Sequence, residues 1–489
     1  MNPSFSEFKR LAEQGNLIPF YQEFLADTET PVSVYLKIKD KTFSYLLESA
    51  EGGRRWGRYS CIGYKPCLIA ASMGEKMVIT EGNNKKALED VGNPLHILRG
   101  LIGKYKLVPI KGLLPFQGGL VGYFNYDLIR KWEYLPGISS GLTGMPESLF
   151  TLSRRMIIFD HLTHQIQVAA FAHVREGEDL DEAYDLARQE IDETIGELQG
   201  PLPYTPKNDI VSVSHLESNL PRHDFEKLVR KAKDHIVAGD VIQVVLSQRF
   251  SGDVVGNDFT LYRNLRSINP SPYMFYLNFR ETKLIGSSPE ILARLTNKKI
   301  ELRPIAGTRP RGKTPEEDLD LEGELIADPK ERAEHIMLVD LGRNDVGKVA
   351  IPGSVSVTQL MGVERYSHVM HLVSSVQGQL KSEMDQFDLF MAAFPAGTVS
   401  GAPKIRAMEI ISELEPTPRG PYAGAVGYFG FNGNMDFCIT IRTITIADSR
   451  LSIQVGAGIV ADSSPEGEYD ETLRKATAML NAIERVNER

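Results

Sequence analysis

Apolar residues recur every three or four positions in two places on either side of a proline-rich break. Leu180, Tyr184, Ala187, Ile191, Ile195 and Leu198 form one stripe, with carboxylates on the opposite face, and predict a helix ending at Gly200. The stretch Gly200-Pro-Leu-Pro-Tyr-Thr-Pro206 cannot continue it, because proline lacks the N–H and clashes with the preceding turn. The main boundary is placed there, dividing the chain into 1–205 and 206–489. A second helix starts near His223, buries Phe225, Leu228, Ala232 and Ile236, and stops at Gly239. Asp328-Pro329 has the form of a cap and first helical residue, so Ile336–Val339 is read as helical. Leu473, Ala476, Leu480 and Ile483 mark a C-terminal helix.

Apolar and β-branched runs predict strands over Val32–Ile38, Phe43–Glu48, Leu120–Tyr126 and Met156–Phe159. After the break they predict Val241–Phe250, Tyr273–Phe279, Lys299–Pro304, Phe437–Ala447 and Leu451–Val455. Asn278–Thr282 and Phe431-Asn-Gly-Asn434 read as hairpin turns. Hairpins interspersed with helices imply an α+β fold, with large antiparallel β-sheets packed face to face and helices outside. Gly119-Leu-Val-Gly-Tyr-Phe124 is echoed by Gly424-Ala-Val-Gly-Tyr-Phe429.

Composition narrows the function. The 489 residues are 42% hydrophobic and 24% charged, with a formal charge of −9, an ordinary globular balance. A surplus of carboxylates argues against nucleic acid or an anionic membrane as partner. Met1–Gln14 lacks the basic cap and apolar run of a secretory signal, and no run of about 18 uncharged apolar residues could span a bilayer. The cysteines Cys61, Cys67 and Cys438 form no CxxC pattern. Free thiols in a reducing cytoplasm are expected.

One motif misleads. Gly307-Thr-Arg-Pro-Arg-Gly-Lys-Thr314 matches a phosphate-binding loop letter for letter. Such a loop must open into a helix whose positive end faces the anion, but Pro315 is followed by Glu316, Glu317, Asp318 and Asp320. Nucleotide hydrolysis is therefore set aside.

The carboxylates are more informative. Glu331 and Glu334, and again Glu468 and Glu471, stand three apart in helical settings, so each pair shares a face. Alone, either pair suits a helix dipole; converging, they would suit Mg²⁺. His335 adjoins the first pair, and His371 lies in a mostly apolar run. Arg442 sits in an otherwise apolar strand and demands an anion. Gly456-Ala457-Gly458 follows the next strand, and Pro395–Lys404 is a small-residue loop leading into a helix.

Together these segments resemble the chorismate-utilising enzymes, and within them the anthranilate synthase component I family. The segments are Ile305–Arg309, Ala333–Asp340, Gly397–Lys404, Pro421–Gly427 and Gly456–Ile459, with Leu46-Leu-Glu-Ser49 in the first half. The resemblance implies an activity: chorismate plus ammonia gives anthranilate and pyruvate through aminodeoxyisochorismate, the first step towards tryptophan. It implies Mg²⁺ on Glu334 and Glu471, with Glu331 and Glu468 nearby. Arg442 and Tyr422 would hold one chorismate carboxylate, and Gly307, Thr308, Thr398, Gly456, Ala457 and Gly458 would line the pocket, with His371 as general acid/base. It implies feedback inhibition by L-tryptophan at Ser49, Pro272, Tyr273 and Met274. A cytoplasmic heterotetramer, two copies with two glutamine amidotransferase subunits, would supply the ammonia. Isochorismate-forming relatives carry lysine where Gln243 stands, and aminodeoxychorismate synthases of the lysine-nucleophile type carry it at Ala306. Both absences favour direct attack by ammonia.

Overall fold

The computed structural model describes residues 2–49, 58–110, 112, 116–137, 144–203, 210–366 and 369–487. The linker residues 204–206, and with them the boundary between 205 and 206, lie outside this set. Two antiparallel sheets share two long strands, Tyr59–Met73 and Ser148–Asp160, which pair along their length with a register shift between Pro66 and Leu68.

From the first part of Tyr59–Met73 one sheet runs through Ser44–Glu48, Tyr273–Phe279, Thr282–Ser288, Thr443–Ala447 and Arg450–Ile459 to Gln243–Gly256. From the first part of Ser148–Asp160 the other runs through Gly119–Phe124, Ala425–Gly430, Met435–Ile439, Ile291–Thr296 and Lys299–Leu302 to Val369–Gln379. Ile305–Pro310 and Ser356–Arg365 also pair with that last strand.

Residues alternate between faces with period two, and each sheet packs apolar side chains on both sides. The inner faces meet in a shared core of Tyr45, Phe275, Phe279 and Leu284 from one sheet and Val121, Tyr123, Val426 and Cys438 from the other. The rings of Tyr123 and Phe279 lie 6.4 Å apart across it. The outer face of the first sheet is covered by helices Pro31–Lys37, Leu180–Gln199, Phe259–Ile268 and Pro465–Asn487. Helices Pro94–Ile102, Pro329–Val349 and Gln386–Ala393 cover the second. The α+β arrangement of facing sheets with helices outside is the one expected.

Three local expectations give way. Residues 31–37 are a helix, not a strand: Thr30 and Ser33 exchange capping-box hydrogen bonds and Pro31 opens the first turn, which overrides seven residues of β-like composition. The strand expected over Phe437–Ala447 is two strands, Met435–Ile439 in one sheet and Thr443–Ala447 in the other. The chain turns between them at Arg442, whose φ is +49°. Gly456–Gly458 lies inside the strand Arg450–Ile459, not after it. The phosphate-loop lookalike is a strand, Ile305–Pro310, and a turn before a helix capped by Thr314.

The echoed hexapeptides are antiparallel neighbours, with Gly122 opposite Gly427. A Cβ on Gly122 would stand 1.9 Å from the Leu149 carbonyl oxygen, and one on Gly427 would stand 2.1 Å from that of Asp436. Both glycines are therefore required by backbone proximity. Gly122→Ala is expected to cost about 2–3 kcal/mol, through displacement of backbone that cannot rotate away, read as a lower denaturation midpoint.

Cys61 and Cys438 are buried, Cys67 is half-buried, and no disulfide joins them. Among the described residues no helix is long and apolar enough to cross a membrane.

Candidate functional site

The site begins with the helix Pro329–Val349. The Asp328 side chain accepts hydrogen bonds from Lys330 N (2.9 Å) and Glu331 N (3.2 Å), and Pro329 opens the first turn. Arg309 fixes this end by pairing with Asp328 (2.8 Å) and Glu331 (3.1 Å). Glu331 is thus engaged, while Glu334, one turn on, receives a hydrogen bond from Gln243 Nε2 at 3.0 Å. Burial raises the Glu334 pKa; the charges of Glu331 and Glu471 add to the rise, and the Gln243 amide and Lys475 oppose it.

The second pair comes from the helix Pro465–Asn487. Glu471 pairs with Lys475 at 2.7 Å, and Lys475 Nζ also donates to the Gly456 carbonyl at 3.1 Å. Glu468 is raised by burial first, and its Oε2 is buried without a hydrogen-bond partner. The two distant pairs therefore share one electrostatic neighbourhood. Among the described residues no three carboxylate, imidazole or thiol groups form a closed metal cage. Mg²⁺ asks for less, taking one or two carboxylates with waters and substrate oxygens. Mutually repelling glutamates and an orphaned buried carboxylate oxygen fit such an ion.

Strand pairing sets out the rest. Gln243, Ser247, Gly456 and Gly458 share one face of the first sheet, since Val245 pairs with Gly458 and Ser247 with Gly456. A Cβ on Gly458 would lie 2.8 Å from Gln243 Nε2, and one on Gly456 would lie 2.5 Å from the Tyr422 hydroxyl. The glycines leave that face open to a ligand. The Ala457 methyl lies on the opposite face, packed with Val244, Leu246 and Ile410, so only its backbone reaches this side. Tyr422 is buried against the Arg419 guanidinium, 5.6 Å from its ring, and burial pushes its phenol up to about 12. It is a hydrogen-bond donor at neutral pH.

Thr308 faces His371 across the pairing of Ile305–Pro310 with Val369–Gln379. His371 Nδ1 is 3.0 Å from both the Gly307 carbonyl and Thr308 Oγ1. Only a protonated Nδ1 satisfies the carbonyl, which leaves Nε2 as the basic nitrogen. Burial pushes His371 down to about 4, so the ring is neutral at pH 7. Gly307 has φ +71° at the register shift beside Thr308, a conformation that suits glycine. His335 does not join the site: it is fully buried, with Nε2 2.6 Å from Ser374 Oγ.

Thr398 stands in the turn Gly397–Val399, held against the Pro329–Val349 helix. A Cβ on Gly397 would overlap Leu341, and the buried Lys404 pairs with Asp345 of that helix at 2.6 Å. Thr398 Oγ1 is buried without a well-formed hydrogen bond, beside a carboxyl that the sequence reading missed, Glu290. Burial raises Glu290 to about 8, against the opposing pull of Thr398, the Arg442 guanidinium and the Ile305 N–H. It is a carboxylic acid at pH 7, next to the expected anion-binding arginine. Its only signal in the sequence was a lone charge between two strands, in Ser287-Ser-Pro-Glu-Ile-Leu292. Lys475 was also missed; its signal was the spacing of four from Glu471.

The third expected cluster is assembled too. Met274 pairs with Glu48, so Ser49 continues one step beyond, on the side of Pro272 and Tyr273. The Tyr273 hydroxyl crosses between the sheets and donates to Asp436 Oδ1 (2.8 Å), and Arg294 Nε donates to the other oxygen of that carboxylate, Oδ2 (2.9 Å).

The chorismate binding enzyme family matches residues 45–481. The chain belongs to that family. This chorismate-binding enzyme is 48% identical over 492 residues to an anthranilate synthase component 1 of Acetivibrio thermocellus, covering 99% of each chain. It is 47% identical to that of Aquifex aeolicus, covering 99% of this chain and 98% of the other. Its structure superposes on anthranilate synthase component I from Streptococcus pneumoniae with a TM-score of 0.76 at 37% identity, covering 93% of this chain and 98% of that one. The menaquinone-specific isochorismate synthase of Escherichia coli shares the fold, with a TM-score of 0.72 at 18% identity.

Proposed function

We propose that this enzyme is the chorismate-converting component of an anthranilate synthase. The observation that carries the reading is near-half identity along the whole of relatives bearing that name. In this reading Arg442 and Tyr422 hold a chorismate carboxylate, and the open faces of Gly456 and Gly458 let backbone approach the ligand. Glu334 and Glu471 hold Mg²⁺, with Glu331 and Glu468 beside them; bound there, the ion supplies Lewis-acid polarisation of a substrate oxygen.

Ammonia adds to the ring beside Gln243, whose amide cannot act as a base to activate water. Glu290, protonated at neutral pH, gives its proton to the departing ring hydroxyl, which leaves as water. The incoming nitrogen returns a proton to Glu290, and the product of this half is aminodeoxyisochorismate. His371 Nε2 then takes the ring proton as the C–O bond to the enolpyruvyl group breaks and the ring becomes aromatic. The imidazolium returns that proton to the methylene carbon of the departing enolpyruvate, which leaves as pyruvate. Thr308 and Gly307 orient that imidazole, and Thr398 lies beside Glu290.

The reading extends to a partner and an effector. A glutamine amidotransferase subunit, two with two copies of this chain, supplies ammonia in the cytoplasm, and L-tryptophan inhibits at Ser49, Pro272, Tyr273 and Met274. Incubation with chorismate, Mg²⁺ and ammonium at alkaline pH should yield fluorescent anthranilate and an equal amount of pyruvate. Isochorismate, or an aminated product without pyruvate, would overturn the assignment. Ser49→Phe is expected to relieve tryptophan inhibition and leave uninhibited turnover intact, as steady-state rates with and without tryptophan would register.

A further inference from the structure

Arg442 has a backbone that its own residue type disfavours. Its φ of +49° brings Cβ close to the following carbonyl oxygen, a clash that disfavours this region for an L-residue, so neighbouring groups must hold it. The Arg442 carbonyl accepts a hydrogen bond from Ser287 N at 3.1 Å, and the Thr443 hydroxyl donates to the Ile441 carbonyl at 2.9 Å. Ser287 stands one residue past Gly286, whose pairing with Thr443 is the last of the ladder that joins Thr282–Ser288 to Thr443–Ala447.

The Ser287 side chain has other ties. Its Oγ accepts from Asn269 Nδ2 at 2.8 Å, lies 2.8 Å from Ser271 Oγ and donates to the Asn269 carbonyl. Ser287 is fully buried and Ser271 nearly so. Asn269 and Ser271 lead directly into Pro272-Tyr273-Met274. One serine thus bonds by its side chain to the segment entering the proposed effector strand, and by its backbone to the proposed substrate arginine.

We infer that Ser287 is a positioning residue that holds Arg442 in its left-handed conformation and transmits tryptophan occupancy to it. This rests on the tryptophan-site reading above. A shift of the 269–274 segment on effector binding pulls on the Ser287 side chain. The hydrogen bond to the Arg442 carbonyl then weakens, the backbone relaxes towards an ordinary negative φ, and the guanidinium leaves the site beside Glu290. The effector would act on chorismate affinity more than on turnover, since the acid and the metal carboxylates lie on other elements.

The test compares the wild-type chain with Ser287→Ala. Loss of one buried anchoring hydroxyl should raise KM for chorismate roughly tenfold with kcat within about twofold. Tryptophan, titrated calorimetrically, should still bind the variant, but the ratio of KM with and without tryptophan should approach one. Ser271→Ala, which leaves the Asn269 bonds in place, should move both readings the same way by a smaller amount, and it stands in if Ser287→Ala fails to fold. Folded variants that keep the wild-type KM overturn the positioning role, and those that keep the wild-type tryptophan ratio overturn the coupling. A wild-type chain that binds no tryptophan overturns the effector-site reading and the coupling with it, while the KM comparison still decides whether Ser287 holds Arg442.

Discussion

Glu290→Gln is expected to lower anthranilate formation by roughly 10²–10⁴-fold while making the protein more stable at alkaline pH. The two effects have one source. The carboxyl is buried beside Thr398 and is raised to about 8 from an ordinary value near 4.5. The folded chain therefore keeps a proton that the unfolded chain releases. Stability falls as pH rises through that window and levels off above about pH 8. Glutamine preserves the shape and removes the titration, so the variant should be the more stable protein at pH 9 and nearly indistinguishable at pH 4. Turnover moves oppositely, because an amide has no acidic proton to give the leaving hydroxyl. Measured at fixed free ammonia, the wild-type rate should decline above pH 8 as Glu290 ionises. Melting temperatures across pH, paired with rates, check both limbs. A variant that loses activity without the alkaline stabilisation would show that Glu290 is ionised in the native protein.

The second large effect is at the metal carboxylates. Glu334→Gln and Glu471→Gln are each expected to reduce turnover at fixed Mg²⁺ by about 10³-fold, the loss of several kcal/mol of Lewis-acid assistance. Part of the loss should be recovered by raising Mg²⁺ if ligation is what was removed. Glu331→Gln should do less, because Arg309 already engages that side chain. Glu471→Gln also leaves Lys475 without its 2.7 Å partner, so an ammonium released among the remaining carboxylates will occupy part of the space. A strong chelator should abolish wild-type turnover, and restored Mg²⁺ should return it. Mg²⁺ titrations of rate, and of heat in the absence of substrate, separate ligation from damage to the fold. Full activity in chelator would remove the ion from the mechanism.

How far the sequence could be read depended on whether the signal was local. Helix Leu180–Gln199 and helix Pro329–Val349 announce themselves by periodicity or caps, and the structure has them. The strand Tyr273–Phe279 was legible to the residue. Residues 31–37 misled because seven positions are too few to separate a two-residue from a 3.6-residue period, and the cap decided it. The turn at Arg442 was missed: the apolar positions run Phe437, Ile439, Ile441 and then Ile444, Ile446, a change of phase at Arg442-Thr443 that marks the break, although nothing local announces a positive φ at an arginine. The glutamate pairs were visible as spacing, but their approach is a property of the fold. Glu290 escaped because its raised pKa comes from burial, a property of the fold, and the Thr398 and Arg442 side chains that pull against it lie more than a hundred residues away. The echo of Gly119–Phe124 in Gly424–Phe429 had a physical meaning that composition alone could not show, since each strand is the other's neighbour.

That last pairing limits how the gene could be divided. The proline-rich stretch after Gln199 looks like a natural place to cut, and the downstream piece would contain every residue assigned here to chorismate and Mg²⁺. Freed of Gly119–Phe124, however, Ala425–Gly430 would become a raw sheet margin with its N–H and C=O groups open to solvent. Tyr273–Phe279 would likewise lose Ser44–Glu48. A fragment beginning at residue 206 should clump through those margins when expressed alone, and co-expressing the first 205 residues as a separate polypeptide should rescue it by restoring the missing strands in trans.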